Sequence, residues 1–177
     1  MKSLPDFLDH DLRLISIGCN PSPLSIQHQC YFANPRNRFW KALNGSGLID
    51  EVLKPEAVSM RILLEKYRIG FTDVVKRCTP GVSDLRAADY RQESPRLLDK
   101  LRHYQPAICW FHGKVAYKNF LKFTSAGKDN IEWGMQPLTI DQSRVFVTPN
   151  PSPANAVYSV DDLIDWYRKL KSELGKL

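Results

Sequence analysis

The sequence lacks clustered cysteines and the glycine-rich loops that cradle nucleotide phosphates. Its four cysteines are scattered along the chain with no CxxC pair. Zinc and iron–sulfur sites need clustered ligands, so we expect neither kind of metal site. Neither GxxxxGK(S/T) nor GxGxxG occurs, which disfavours an α/β protein that binds small nucleotides.

Long apolar segments are also missing. No apolar run approaches the roughly 20 residues that span a bilayer. The first residues, MKSLPD, contain no apolar segment typical of a signal peptide. We therefore expect a cytoplasmic protein with no membrane partner.

The charge of the chain is unbalanced toward the positive side. Its 25 Lys and Arg residues against 19 Asp and Glu residues give a formal net charge of +6. This excess favours a polyanionic partner such as nucleic acid, although many basic enzymes bind none. No repeat or linker divides the 177 residues, so we expect a single domain spanning residues 1–177.

Short apolar runs alternate with helical patterns along the chain. Strands are predicted at residues 12–17, 69–75 and 107–111, while residues 138–140 and 145–147 form a hairpin or flank a turn into a last parallel strand. Residues 22–34 are predicted to be a loop. Helices are predicted from Pro35 to Leu43, through Met60 and Tyr67, from the cap Ser94-Pro95, after Gly113, and from about Val160. This order predicts a three-layer α/β/α sandwich with a central, mainly parallel sheet.

Two of the predicted strands end in the same tripeptide, Asn-Pro-Ser, at residues 20–22 and 150–152. The carboxyl ends of parallel strands meet at one edge of a sheet, so both turns are expected to line one cleft. Gly18 lets the backbone come close to a ligand, and Pro21 fixes the direction in which the chain leaves. Asn20 belongs either to an ordinary strand-ending turn or to a ligand crevice.

Six segments carry patterns of a known family, in the same order along the chain. They are residues 18–22 (GCNPS), 32–40 (FANPRNRFW), 70–72 (GFT), 77–81 (RCTPG), 113–117 (GKVAY) and 149–152 (PNPS). Together they resemble the motifs GINPG, FAHPxNRFW, G(V/L)T, RxTPG, GKxAY and PNPS of the mismatch-specific uracil/thymine-DNA glycosylases, within the uracil-DNA glycosylase superfamily. One GxNP would be weak, whereas the ordered set is specific and extends from about residue 12 to residue 167.

The resemblance implies a uracil-DNA glycosylase-like fold and hydrolysis of the N-glycosidic bond of uracil, or of thymine and other damaged bases. The products are free base and an abasic site, and no cofactor takes part. DNA is the implied partner, as a duplex with uracil or a mismatched base, and we expect a monomer.

The resemblance also assigns roles around the first turn. Asn20 is an amide and a poor base, so its implied role is to orient the attacking water. Phe32 matches the aromatic residue that stacks on the extruded base, and Tyr31 takes that role if the register shifts by one. Backbone N–H groups after Gly18, at Cys19, are expected to bind the base, together with the region of Asn34 or Ser25.

Asp73 directly follows the GFT segment. A carboxylate there can activate water or stabilise positive charge on the sugar. Alternatively, it is a strand-end residue that pairs with Lys76 or Arg77. The sequence leaves both interpretations open.

The second motif departs from the family pattern. Relatives continue PNPS with GLSR, whose Leu wedges into the base stack and whose Arg faces the opposing guanine, whereas this chain continues with PANA. Ala154 is too small for a wedge, although Asn155 could replace some hydrogen bonding. We expect relaxed selection of the opposing base, with uracil in other pairs or in single strands also accepted. The main alternative is a DNA-damage-binding protein of the same fold without hydrolysis.

The remaining DNA contacts are expected along the second turn. Asn150, Pro151 and Ser152 form this turn, in which Ser152 is expected to contact phosphate with added charge from Lys114. Arg36 and Arg38 are either further contacts or solvated helix residues. His28 is the histidine expected near the site, and His112 is expected to be structural or exposed.

Overall fold

The protein is an α/β structure built on one five-stranded sheet. The computed structural model describes residues 3–124 and 130–177. The strands are β1 (Leu14–Gly18), β2 (Ile69–Asp73), β3 (Ile108–His112), β4 (Gly134–Ile140) and β5 (Ser143–Thr148). Their order across the sheet is β2-β1-β3-β5-β4, and only β4 runs antiparallel to its neighbour. The predicted mainly parallel sheet is therefore confirmed.

Helices cover both faces of this sheet. They are α1 (Pro23–His28), α2 (Phe39–Ser46), α3 (Ala57–Glu65), α4 (Ala87–Tyr104), α5 (Lys114–Thr124) and α6 (Val160–Leu174). One apolar core joins one sheet face to α2, α3 and α6, and a second joins the other face to α4 and α5. Every residue of β1, β2 and β3 is buried, as expected for parallel strands covered on both sides. The three-layer α/β/α prediction is confirmed.

The two alternatives for the last strands are both realised. β4 and β5 form a hairpin, and β5 also pairs in parallel with β3. The last helix begins as predicted, because the Ser159 hydroxyl accepts from the amide of Asp162 and the Asp162 carboxylate accepts from the amide of Ser159.

Two Ser-Pro pairs, Ser22-Pro23 and Ser94-Pro95, differ in the structure from what the sequence predicts. Ser94-Pro95 was predicted to start a helix, but α4 begins at Ala87 and Pro95 lies inside it. The helix starts earlier because the Asp89 carboxylate accepts from the amide of Arg86 at its beginning. The predicted loop at residues 22–34 instead contains α1, which Ser22 caps by accepting from the amide of Ser25.

Two other helix boundaries also differ. α2 begins at Phe39 rather than Pro35, because Asn34 and Asn37 each accept a backbone amide two residues ahead and form consecutive turns. Tyr67 was predicted within the second helix, but α3 ends at Glu65. None of the helices in the described part of the chain is long and apolar enough to cross a membrane.

The N-terminal segment is fixed against the outer edge of β2. Phe7 and Phe71 exchange two backbone hydrogen bonds of 2.9 and 2.8 Å as an antiparallel bridge. This close approach depends on Gly70, where an added Cβ would lie 2.7 Å from the backbone oxygen of Phe7 and 2.6 Å from the Leu12 side chain. The segment carries Asp6 toward the end of β2.

Substitution of Gly70 by alanine is expected to weaken the fold. The added methyl group must displace the backbone at Phe7, which costs about 1–3 kcal/mol as overpacking does in other proteins. Urea unfolding of Gly70→Ala and of Gly175→Ala, where the added Cβ makes only ordinary contacts of 3.5 Å or more, measures the effect. Equal stability of the two variants would contradict this account of the N-terminal segment.

Candidate active site

A cleft lies at the carboxyl edge of the sheet. It has a volume of about 910 Å³, and residues of both Asn-Pro-Ser turns line it. The connection that follows β1 leads to β2, whereas the one that follows β3 leads to the opposite side of the sheet, toward β4 and β5. Ligand crevices form between two such neighbouring strands. The structure thus brings Asn20 and Asn150 to one cleft, as the sequence predicted.

The floor of the cleft is built around Gly18. Gly18 is the register partner of Asp73 at the ends of two parallel strands. A Cβ at Gly18 would lie 2.5 Å from Asp73 Oδ1 and 3.9 Å from Phe32 Cζ. The absence of a side chain at Gly18 therefore lets a carboxylate and an aromatic ring meet at the same point.

Asp73 is a buried carboxylate with little compensation. It is 4 % exposed, and its Oδ2 has no hydrogen-bond partner among the described residues. Burial raises the pKa of Asp73 to about 7, against the opposing effect of Lys76. The nearest cation, Lys76 Nζ, lies 3.9 Å from Oδ2, too far for a hydrogen bond. The carboxylate is therefore a base whose charge changes near neutral pH.

Asn20 is held so that its carbonyl oxygen stays free. Its Nδ2 donates to the Arg77 carbonyl at 3.0 Å and to Thr79 Oγ1 at 2.7 Å. The Arg77 carbonyl can only accept, so the amide orientation is fixed. No described residue donates to Asn20 Oδ1, which remains available to a water in the cleft. Thr79 belongs to the RCTPG segment, whose part in fixing Asn20 the sequence did not reveal.

Phe32 and Tyr31 occupy different environments. The half-buried ring of Phe32 lines the cleft and stacks on Phe39 with the ring centroids 4.3 Å apart. The ring of Tyr31 is 2 % exposed, and its hydroxyl donates to the Pro5 carbonyl. Tyr31 also borders the cleft, but Phe32 presents the more exposed ring of the two.

The buried ring of His112 packs against the ring of Phe32. It is 1 % exposed, its ring lies 5.0 Å from that of Phe32, and its Nε2 is 2.8 Å from Ser16 Oγ. Burial lowers the pKa of His112 to about 3, which keeps the imidazole neutral. His28, which the sequence placed near the site, is exposed at the end of α1 and does not line the cleft.

The other residues predicted to bind the base also lie at the cleft. Cys19 is buried with its Sγ 3.2 Å from the Tyr90 hydroxyl, and burial raises the pKa of its thiol to about 11. Ser25 is buried and bonded to Ser22, whereas Asn34 uses Oδ1 for the amide of Arg36. Asn34 lines the cleft, and its amide nitrogen makes no hydrogen bond to described residues.

Arg38 fixes the loop that follows the second turn. Its guanidinium donates to four backbone carbonyls, those of Pro151, Ser152, Asn155 and Tyr158. It is thus neither a solvated helix residue nor a free phosphate contact, and the sequence gave no sign of bonds to partners more than 110 positions away.

The second turn itself is also internally bonded. Asn150 Oδ1 accepts from the amide of Ser152, and Asn155 Nδ2 donates to the Asn150 carbonyl. Ala154 is exposed at the cleft mouth. Lys114 lines the same side with its Nζ 4.7 Å from the Trp133 ring centroid. Five of the residues predicted to contact DNA line the cleft, namely Lys114, Asn150, Ser152, Ala154 and Asn155, whereas Pro151 is buried and does not line it.

The fold and cleft define a three-layer α/β/α protein with two asparagine turns at the carboxyl edge of its sheet. Residues 5–171 match the family model of the Uracil DNA glycosylase superfamily, and the chain belongs to this superfamily. Its members are DNA glycosylases, which are hydrolases that act on DNA.

The buried carboxyl group predicts a specific dependence of stability on pH. The folded state holds the Asp73 proton up to about pH 7, whereas an unfolded aspartate releases it near pH 4. The contribution of Asp73 to stability is therefore greatest below pH 4 and declines as the pH rises to 7. Relative to Asp73→Asn, the wild type should lose on the order of 3 kcal/mol between pH 5 and 8 in urea unfolding. Parallel stability curves for the two proteins would contradict the raised pKa.

Proposed function

We propose that the protein is a monofunctional DNA glycosylase of the mismatch-specific uracil/thymine type, which removes uracil from DNA and leaves an abasic site. The observation that carries this proposal is the free Oδ1 of Asn20 in the same cleft as the buried carboxylate of Asp73. One chain supplies both groups and the surrounding cleft, so we propose that it acts as a monomer.

The proposed reaction divides the chemistry between these two side chains. The C1′–N1 bond breaks, its electron pair leaves with the base, and positive charge develops on the sugar. Asn20 Oδ1 accepts a hydrogen bond from water and holds it on the open side of C1′. The water oxygen bonds to C1′, and its proton passes to the Asp73 carboxylate.

The extruded base would be held between Phe32 and the backbone at the end of β1. Flipping a base costs a few kcal/mol, and stacking on an aromatic ring returns about 1–3 kcal/mol. Phe39 and His112 fix the orientation of the Phe32 ring before the base arrives. The cleft is therefore preorganised for a planar ligand.

Single substitutions test the two catalytic assignments. Under single-turnover conditions with G·U duplex, Asn20→Ala should lower the rate about 10²-fold through loss of water positioning. Asp73→Asn should lower it about 10²–10⁴-fold through loss of the base. Asp165→Asn, whose side chain is 67 % exposed on α6, serves as the matched control.

Full activity of Asp73→Asn would exclude a catalytic role for Asp73 and support the alternative, a strand-end residue near Lys76. Urea unfolding of Asp73→Asn at the pH of the assay separates lost catalysis from lost folding.

The exposed loop after the second turn predicts relaxed selection of the opposing base. Ala154 and Ala156 are exposed and too small to fill the space left by a flipped nucleotide or to donate to a guanine. The preference among uracil substrates is then set by the free energy needed to extrude the base, which is smallest for single strands and mismatches. Cleavage of uracil in single-stranded, G·U and A·U oligonucleotides should fall in that order, with single strands within about tenfold of G·U. A large preference for G·U alone would contradict this prediction.

A DNA-damage-binding protein without hydrolysis is the second candidate. The small side chains at Ala154 and Ala156 favour it, because they leave no wedge or guanine contact at those positions. The anchored Asn20 and the buried Asp73 argue against it, since binding alone requires neither a water-orienting amide nor an uncompensated carboxylate.

A further inference from the structure

We infer that Asp6 is a positioning residue for Asp73, because it binds the ammonium group of Lys76 and keeps that group from forming a close ion pair with the Asp73 carboxylate. The inference rests on the proposed function for its catalytic consequence, although its structural part can be measured separately.

Lys76 lies near two carboxylates, those of Asp6 and Asp73. Its Nζ lies 2.7 Å from Asp6 Oδ1 and 3.1 Å from the Tyr31 hydroxyl, but 3.9 Å from Asp73 Oδ2. The first two distances are hydrogen bonds and the third is not. Asp6 therefore holds the cation in a position from which it attracts Asp73 only weakly.

Asp6 is itself firmly placed. Thr72 Oγ1 donates to its Oδ1 at 2.8 Å, and Lys100 Nζ of α4 lies 2.6 Å from its Oδ2. The bridge between Phe7 and Phe71 fixes the backbone next to it. Burial alone would raise the pKa of Asp6, but Lys76 and Lys100 outweigh burial and hold it below its ordinary value. Asp6 is thus ionised wherever Asp73 titrates.

The groups that face Asp73 come from several elements. Lys76 and Lys100 favour its charged form and Asp6 opposes it, while the Tyr31 hydroxyl and the Cys19 thiol lie nearby and stay neutral because burial raises the pKa of both. Removal of the charge on Asp6 would lower the pKa of Asp73 in two ways. It removes the repulsion between the two carboxylates, and it frees Lys76 to approach Asp73.

This arrangement matters for the strength of the base. A carboxylate paired with an ammonium group is a weaker base, whereas one with a pKa near the working pH is both available and able to take a proton. Asp6 therefore acts through Lys76 on Asp73 and does not itself contact the substrate.

The test is a pair of substitutions with opposite expected effects. Asp6→Asn should lower the Asp73 pKa by about one unit or more through the released cation, and Lys76→Met should raise it by removing that cation. Carbonyl ¹³C NMR titration of aspartate-labelled protein, with Asp73→Asn for assignment, measures the midpoint directly. The rising limb of the single-turnover rate against pH should move in the same two directions.

The double variant and a neighbouring control separate tuning from a general structural effect. In Asp6→Asn/Lys76→Met the acid-directed shift of Asp6→Asn should become smaller, because Lys76 is gone and only the lost repulsion from Asp6 and the released Lys100 remain. Asp9→Asn removes another carboxylate of the same segment, one that pairs with Arg68 instead, and should leave the Asp73 midpoint unchanged.

Different results would refute the positioning role of Asp6 and the catalytic function of Asp73. An Asp73 midpoint that does not fall in Asp6→Asn, or that moves the same way in Lys76→Met, would overturn the role of Asp6. Midpoints that shift as expected while the rate stays independent of Asp73 would overturn the proposed catalytic function and leave the positioning role intact. If Asp6→Asn fails to fold, the size of the shift in Lys76→Met decides: a small upward shift supports the inference, whereas a shift of several units would show that Lys76 already pairs closely with Asp73 and would refute it.

Discussion

The close contact between Gly18 and Asp73 is the constraint on which the site depends. Two parallel strands end side by side, and the carboxylate of one fills the space that a side chain on the other would need. The same missing side chain admits the edge of Phe32. A charged group and an aromatic surface are thus brought together by strand register at the floor of the cleft.

Backbone carbonyls hold the two walls of the cleft in complementary ways. On the first wall, the Arg77 carbonyl fixes the amide of Asn20 and leaves its oxygen for a water. On the second wall, Arg38 gathers carbonyls of residues 151–158 and sets the loop that would face DNA. Rigid supports of this kind keep reacting groups close to a productive geometry without reorganisation at the moment of reaction.

The sequence predicted the sheet and the meeting of Asn20 with Asn150, because apolar runs and the geometry of parallel strands are properties of short segments. It misjudged two Ser-Pro pairs: Ser22 caps a helix within the predicted loop, and Pro95 lies inside a helix that begins at Ala87. The bonds of Arg38 and the cluster around Asp6 join residues about 66 to 120 positions apart. Such long-range contacts depend on the finished fold.

Direct detection of the released base tests the central claim. The purified protein is incubated at pH 8, where the Asp73 carboxyl group is ionised, with a uracil-containing oligonucleotide, and free uracil is quantified by chromatography with mass detection. The account predicts free uracil in an amount equal to the abasic sites formed. Tight binding of the same oligonucleotide with no released uracil would contradict it and identify a protein that recognises damage without hydrolysing it.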